Sequence, residues 1–219
     1  MMRRLYRMAQ VCLALLLCLG VSPALLAQDA DQILDKAATA YERSNGISVS
    51  FTMLTKTPTN QSGESFEGSI QMKGEKFLLV TPDVRTWFDG TTQWSYVERN
   101  EEVNVTSPSG DELKMTNPML LLGNYQRGFQ ANFQGESTAA GGKTVYDIVL
   151  TPKKKSDIEK VELGIEKFSG LPARISVLSK NGVSTTIRIV QLKTGVNQAD
   201  GLFVFKEADY PDVEVIDLR

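Results

Sequence analysis

Ile47-Ser48-Val49-Ser50-Phe51-Thr52-Met53-Leu54 alternates apolar residues with mostly polar ones. Successive side chains of a strand point to opposite faces, so the stretch reads as a strand with Ile47, Val49, Phe51 and Met53 turned inward. The period of two returns at Gly68, Ile70 and Met72, at Val161, Leu163 and Ile165, and at Ile187 and Ile189. Such alternation predicts half-buried antiparallel strands, since parallel strands read as solid apolar runs. Turn signals separate the runs at Asp89-Gly90, Asn100, Gly141-Gly142, Asn181-Gly182 and Asp200-Gly201. Asp-Gly and Asn-Gly suit tight hairpins because both central residues tolerate positive φ. The chain is therefore mainly β, and mostly a meander.

Two segments break this period. Upstream, Ile33, Leu34, Ala37, Ala38 and Tyr41 fall on one face of a helix over 29–45, with Asp29 or Asp31 to cap it and Asn45-Gly46 to stop it. Between Ser107 and Phe133, Asn117 caps and Pro118 opens a short helix whose Met119, Leu120, Leu121 and Leu122 are apolar nearly all round. Such a helix must be covered, either as a core plug or as a lid.

The amino-terminal segment reads as a signal peptide over 1–27: Arg3, Arg4 and Arg7, an apolar run from Val11 to Leu19, then small residues up to Ala27. Cleavage there leaves one domain over 28–219, or 219 − 27 = 192 residues, enough to bury a core. Both cysteines, Cys12 and Cys18, leave with the peptide. The rival reading, a lipid anchor on Cys18, is disfavoured by the bulky Leu17 before it. Losing three arginines takes the basic count from 24 to 21 against 26 acidic groups, a net charge of −5. That balance argues against nucleic acid as a partner. The basic run Lys153-Lys154-Lys155 is expected in a solvated turn.

The chain contains no histidine. With the cysteines gone, it lacks the commonest acid-base group, the soft metal ligands and the Cys-His and Ser-His pairs. Carboxylates remain: Glu98 with Glu101 and Glu102, Asp111 with Glu112, and Glu162 with Glu166. Their positions on outward strand phases or in turns predict solvated surface. No loop has calcium-ligand spacing. No catalytic, cofactor or metal site is expected, and the reading is a protein that binds rather than transforms. What stands out is apolar surface in the first strands: Phe51, Met53, Ile70, Met72, Phe77, Leu79, Trp87, Trp94 and Tyr96. An ordinary core or a ligand cavity would both look like this.

Four pieces carry a family resemblance: the helix followed by Ser50-Phe51-Thr52; the hairpin from Asp89-Gly90 through Trp94-Ser95-Tyr96; Asn117-Pro118 opening an apolar helix; and Leu150-Thr151-Pro152-Lys153 after a strand. In this order and spacing the chain resembles the periplasmic lipoprotein carriers of the LolA family and, less closely, their LolB receptor partners. The resemblance implies an α+β fold, an incomplete and strongly bent antiparallel β-barrel closed by helices. It implies a periplasmic carrier moving acylated lipoproteins from the inner to the outer membrane. Its partners would be an ATP-driven inner-membrane release complex and an outer-membrane receptor. A receptor or a lipid-binding envelope sensor on the same fold is the alternative, and a carboxylate-dependent hydrolase a more distant one. A carrier is expected to be monomeric so that its groove stays free.

The acyl-chain groove is then expected at Phe51, Met53, Ile70, Met72, Phe77, Leu79, Trp94 and Tyr96, under a lid of Met115, Met119, Leu120 and Leu122. In the empty protein that lid should fill the space between Trp94, Tyr96 and Phe51. The best-known carriers also have an Arg-Pro after the second strand, whose arginine helps hold the lid shut. Here the stretch is Lys73-Gly74-Glu75-Lys76-Phe77, so Lys73 or Lys76 would have to substitute.

Overall fold

The computed structural model describes residues 30–109, 112–113 and 121–219. Helix α1 (Ala30–Glu42) is followed by β1 (Ile47–Lys56), β2 (Glu64–Lys73), β3 (Lys76–Val80), β4 (Val84–Phe88), β5 (Gln93–Val97) and β6 (Glu102–Thr106). Helix α2 (Leu121–Gly128) leads into β7 (Phe129–Thr138), β8 (Thr144–Pro152), β9 (Ile158–Glu166), β10 (Pro172–Ser179) and β11 (Ser184–Thr194). A short β12 (Glu214–Asp217) ends the chain. The signal-peptide residues and the segment holding Met115, Asn117, Pro118, Met119 and Leu120 lie outside the described residues.

α1 ends as the sequence predicts, with Asn45 at φ 48° and Gly46 at φ 105°. The strands form one twelve-stranded sheet in the order β12-β6-β5-β4-β3-β2-β1-β11-β10-β9-β8-β7. Two meanders, β1 to β6 and β7 to β11, meet at the antiparallel β1–β11 pair, Ile47 opposite Thr194. Every pairing is antiparallel except β12 beside β6. The end strands β7 and β12 do not pair with each other, so the barrel is open.

The sheet is bent. Six strand spacings separate β2 from β7, which on a flat sheet is about 29 Å. Yet Tyr41 of α1 reaches Met72 of β2, while the same helix packs against β7. From Asp31 to Tyr41 the helix rises only about 15 Å, so the sheet must curl around it.

The main core lies between α1 and the face it covers. Ile33, Leu34 and Ala37 meet Ile47, Val49, Phe51, Ile70, Met72 and Phe77 from one half of the sheet, and Ile148, Leu150, Val161, Leu163 and Ile165 from the other. Leu34, Phe77, Leu150, Val161 and Ile165 are fully buried. The alternation read at β1, β2 and β9 thus points inward in the expected phase.

A second, smaller core sits on the opposite face. Leu78 stands across from Trp87, and Trp87 across from Trp94. This face is covered by the carboxyl-terminal segment, whose Phe203 is fully buried and whose Phe205 and Tyr210 pack on Trp87 with ring centroids at 5.5 and 5.8 Å. Asp200-Gly201, expected as a hairpin turn, instead opens the 3-10 turn Asp200–Phe203 that delivers Phe203 to this core. The other predicted turns hold: Asp89 Oδ1 accepts the backbone N–H groups of Thr91 and Thr92, and Gly90 and Gly182 take positive φ.

Candidate functional site

Six of the eight predicted groove residues lie on the face under α1. Phe51 is paired across from Gly68, Ile70 from Leu79 and Met72 from Phe77, which puts them, with Met53 across from Phe66, in one inward set. Phe51, Ile70, Met72 and Phe77 are buried, while Met53, Leu79 and Phe66 are partly buried and pack against the same cluster. Gly68 is required here: a Cβ would sit 2.5 Å from Phe51 Cζ and 2.9 Å from the Val80 carbonyl oxygen. The missing side chain is the space the Phe51 ring occupies.

Trp94 and Tyr96 do not belong to this set. Phe77 faces Phe88 and Phe88 faces Gln93, so β5 turns Gln93 and Ser95 toward the inner face and Trp94 and Tyr96 away from it. Both pack in the second core, with Tyr96 4.9 Å from Tyr210. Among the described residues, Phe51 on the one hand and Trp94 and Tyr96 on the other therefore line opposite faces of the sheet. The physical reason is that β5 does alternate, Trp94 and Tyr96 against Gln93 and Ser95, but its apolar phase is the outer one, and alternation alone cannot choose between two covered faces.

α1 is clipped at both ends. Near its start, Asp31 Oδ1 accepts a hydrogen bond from the Tyr125 hydroxyl of α2 at 2.8 Å. Near its end, the Tyr41 hydroxyl donates to the Gly74 carbonyl oxygen at 3.0 Å, in the β2–β3 turn. Burial is the main cause that pushes both tyrosines up to about 12, with Glu75 adding to it at Tyr41. Gln126 pulls Tyr125 the other way and Asp31 adds to the rise. Leu113, in the connection from β6 to α2, packs against the same inner cluster. That connection joins strands near opposite ends of the sheet. Leu122 belongs to α2 by its backbone; its side chain, with Met115, Met119 and Leu120, lies outside the described set.

Lys73 and Lys76, the candidates to replace the family arginine, both turn to the carboxyl-terminal segment. Lys73 Nζ lies 3.0 Å from Asp200 Oδ1 and donates to the Gln198 carbonyl oxygen, and Lys76 Nζ is 3.5 Å from Asp200 Oδ2. These lysines lower Asp200 relative to an ordinary carboxylate, Lys73 through its hydrogen bond above all. Neither bonds to α1 or α2 among the described residues.

The carboxylates raised by the sequence sit at the surface where described. Glu162 is paired with Lys160, and Glu166 with Lys143, on the outward phase of β9. Among the described residues no cluster of acidic side chains could hold a metal ion. Two clefts open on the outside of the molecule: one of about 160 Å³ beside Arg85, Tyr96 and Tyr210, the other of about 380 Å³ along the outer face of α1.

An open, bent antiparallel sheet with an apolar inner face spanned by a helix is the architecture the resemblance implies. The family model described as outer membrane lipoprotein carrier protein LolA matches residues 22–181. The chain belongs to this LolA family. The match ends at Asn181, so β11 and the carboxyl-terminal segment over the second core lie beyond it. An uncharacterized conserved protein from Thermus thermophilus shares the fold, with 14% identity over 87% of this chain and 99% of its own and a TM-score of 0.60. A LolA superfamily protein from Nitrosomonas europaea is similar at 14% identity, 80% and 97% coverage and a TM-score of 0.44. Lipoprotein LppX of Mycobacterium tuberculosis is similar at 14% identity, 77% and 97% coverage and 0.47. No curated protein is detectably similar in sequence.

Proposed function

We infer that the chain is a periplasmic carrier that shields the acyl chains of lipoproteins and moves them from the inner to the outer membrane. The observation that carries this reading is the apolar inner face, from Phe88 of β4 across β1 to Phe133 of β7, covered among the described residues chiefly by one clipped helix. Phe51, Met53, Ile70, Met72, Phe77 and Leu79 are the groove residues. Each exposed methylene costs about 0.8 kcal/mol in water, so a multiply acylated protein needs such a cover to cross an aqueous compartment.

In the described state the face is filled by the protein's own side chains, Leu34 and Phe77 among them. Acyl chains must then compete with the helical cover, which keeps binding weaker than transfer from water alone would make it and permits release. The inner-membrane partner would be an ATP-driven release complex, and delivery would involve an outer-membrane receptor. The carrier acts by binding, and the reading assigns no catalytic residue.

A receptor or envelope sensor on the same fold is the second reading. One observation favours it: Phe168, at the β9–β10 turn, is 98% exposed, as a loop that touches a membrane would be. The deciding experiment mixes the purified chain with ATP-supplied inner-membrane vesicles carrying an acylated lipoprotein, beside the same cargo lacking its lipidated cysteine. A soluble complex with the acylated cargo alone supports the carrier. No complex with either, where an established carrier succeeds, removes it in favour of the receptor or sensor.

A further inference from the structure

The outer face of α1 and the neighbouring β9–β10 turn carry features that the groove does not use. Phe168 projects from a tightly bonded turn. The Gly170 N–H donates to the Glu166 carbonyl oxygen at 2.8 Å, the Glu166 N–H to the Leu171 carbonyl oxygen, and Ser169 Oγ to Glu166 Oε2. The turn abuts α1, since a Cβ on Gly170 would lie 3.6 Å from Ala40 Cβ and 3.9 Å from the Lys36 carbonyl oxygen. Beside it runs the shallow cleft of about 380 Å³ lined by Asp35, Lys36, Thr39, Ala40 and Arg43. An exposed aromatic ring therefore projects from a turn that borders this hollow. A two-fold axis sets the same patch of each copy against the other, so a ring on one copy faces the hollow side of its partner.

The charges obey the same symmetry. Thr39 is exposed at the middle of the outer face. Asp35 and Arg43 lie four residues either side of it, and Lys36 and Glu42 three residues either side. In an antiparallel pair of helices centred on Thr39, Asp35 of one copy is level with Arg43 of the other, and Lys36 with Glu42. Their offsets from the centre are about 6 and 4.5 Å along the axis. Among the described residues Lys36, Glu42 and Arg43 make no ion pair, while Lys143 and Lys167 near Phe168 are already paired with Glu166 and Glu136.

We propose that the outer face of α1, with Phe168, is the interface of a two-fold dimer of this chain. The contact leaves the inner face of the sheet untouched, so it holds whichever cargo the groove takes. It departs from the monomer expected of a carrier. The described contact is small, so association is of the concentration-dependent kind.

The chain from Gln28 onward holds every described residue and no cysteine, which permits disulfide trapping. Thr39→Cys lies on the axis and is expected to cross-link to its own copy under mild oxidation. Gln32→Cys, exposed on the same helix face, would lie about 21 Å from its own copy and should not. Sedimentation velocity should show a dimer growing with concentration, weakened about tenfold by Phe168→Ser. Lys36→Glu with Arg43→Glu should abolish it, and adding Asp35→Lys with Glu42→Lys should restore it. A monomer at all concentrations, or cross-linking of Gln32→Cys as readily as Thr39→Cys, overturns the proposal. Phospholipid-vesicle binding by a strictly monomeric chain, lost in Phe168→Ser, overturns it in favour of a membrane contact.

Discussion

Tyr125 donates a 2.8 Å hydrogen bond to Asp31 Oδ1, and through it α2 is tied to the first turn of α1. Tyr125 is 3% exposed, so its hydroxyl has little water to turn to. A hydrogen bond to a charged acceptor is worth about 1.5–3 kcal/mol. Tyr125→Phe is expected to lose that much in urea unfolding and to speed the entry of a fluorescent fatty-acyl probe. Unchanged probe kinetics would show that α2 does not gate the face.

Alkaline pH should loosen both clips. Tyr41 and Tyr125 are pushed up to about 12 from the ordinary 10. A raised folded value means that the unfolded chain loses its phenol protons first. The contribution is complete below pH 10 and is lost as pH climbs through 12. Stability measured at steps across that window should fall more steeply for the native chain than for the Tyr41→Phe/Tyr125→Phe variant; equal slopes would refute the assignment.

Gly68→Ala tests the close fit at β2. The added methyl meets the Phe51 ring and a backbone oxygen under 3 Å away, and overpacking of this kind costs about 1–3 kcal/mol. Thermal unfolding with and without the further change Phe51→Leu checks it: the smaller side chain should recover part of the loss if the ring is what is displaced.

Leu79→Glu and Trp94→Ala separate the two faces. Leu79 borders the inner cluster and Trp94 the second core. Acyl-probe titration should show binding weakened about tenfold or more by the charge at Leu79, as expected for a carboxylate in an apolar site. It should show little change for Trp94→Ala. The reverse pattern would move the groove to the other face.

Phe203→Ala removes a fully buried ring. It should cost about 3–5 kcal/mol and shift tryptophan emission to the red as water reaches Trp87. Emission that stays put would mean that the carboxyl-terminal segment is not what covers that ring.

Where one phase of a strand is polar, as at Ile47–Met53 and Val161–Ile165, the sequence alone sets both the strand and its inward face. The Asn45-Gly46 stop and the Asp89-Gly90 turn were equally readable, because few residues accept those dihedrals. The outer placement of Trp94 and Tyr96 is not legible in the sequence, because Leu78, Trp87 and Trp94 are covered by a segment more than a hundred residues later. Nothing local announces that cover. Leu202-Phe203-Val204-Phe205 was its one signal, an aromatic cluster after a turn pair that could as well have opened a hairpin. Lys73 and Lys76 illustrate the same limit, since their partner Asp200 is distant in sequence.

The seam at the middle of the sheet has a consequence for the order of events in folding. β1 is hydrogen-bonded to β11, so Ile47 waits for Thr194, a separation of 194 − 47 = 147 residues. The two meanders cannot be joined into one sheet until nearly the whole chain is present, and pairings this remote in sequence form slowly. Within each meander consecutive strands can pair on their own, so the late step is the joining of the two halves around α1, which waits for the carboxyl-terminal part of the chain.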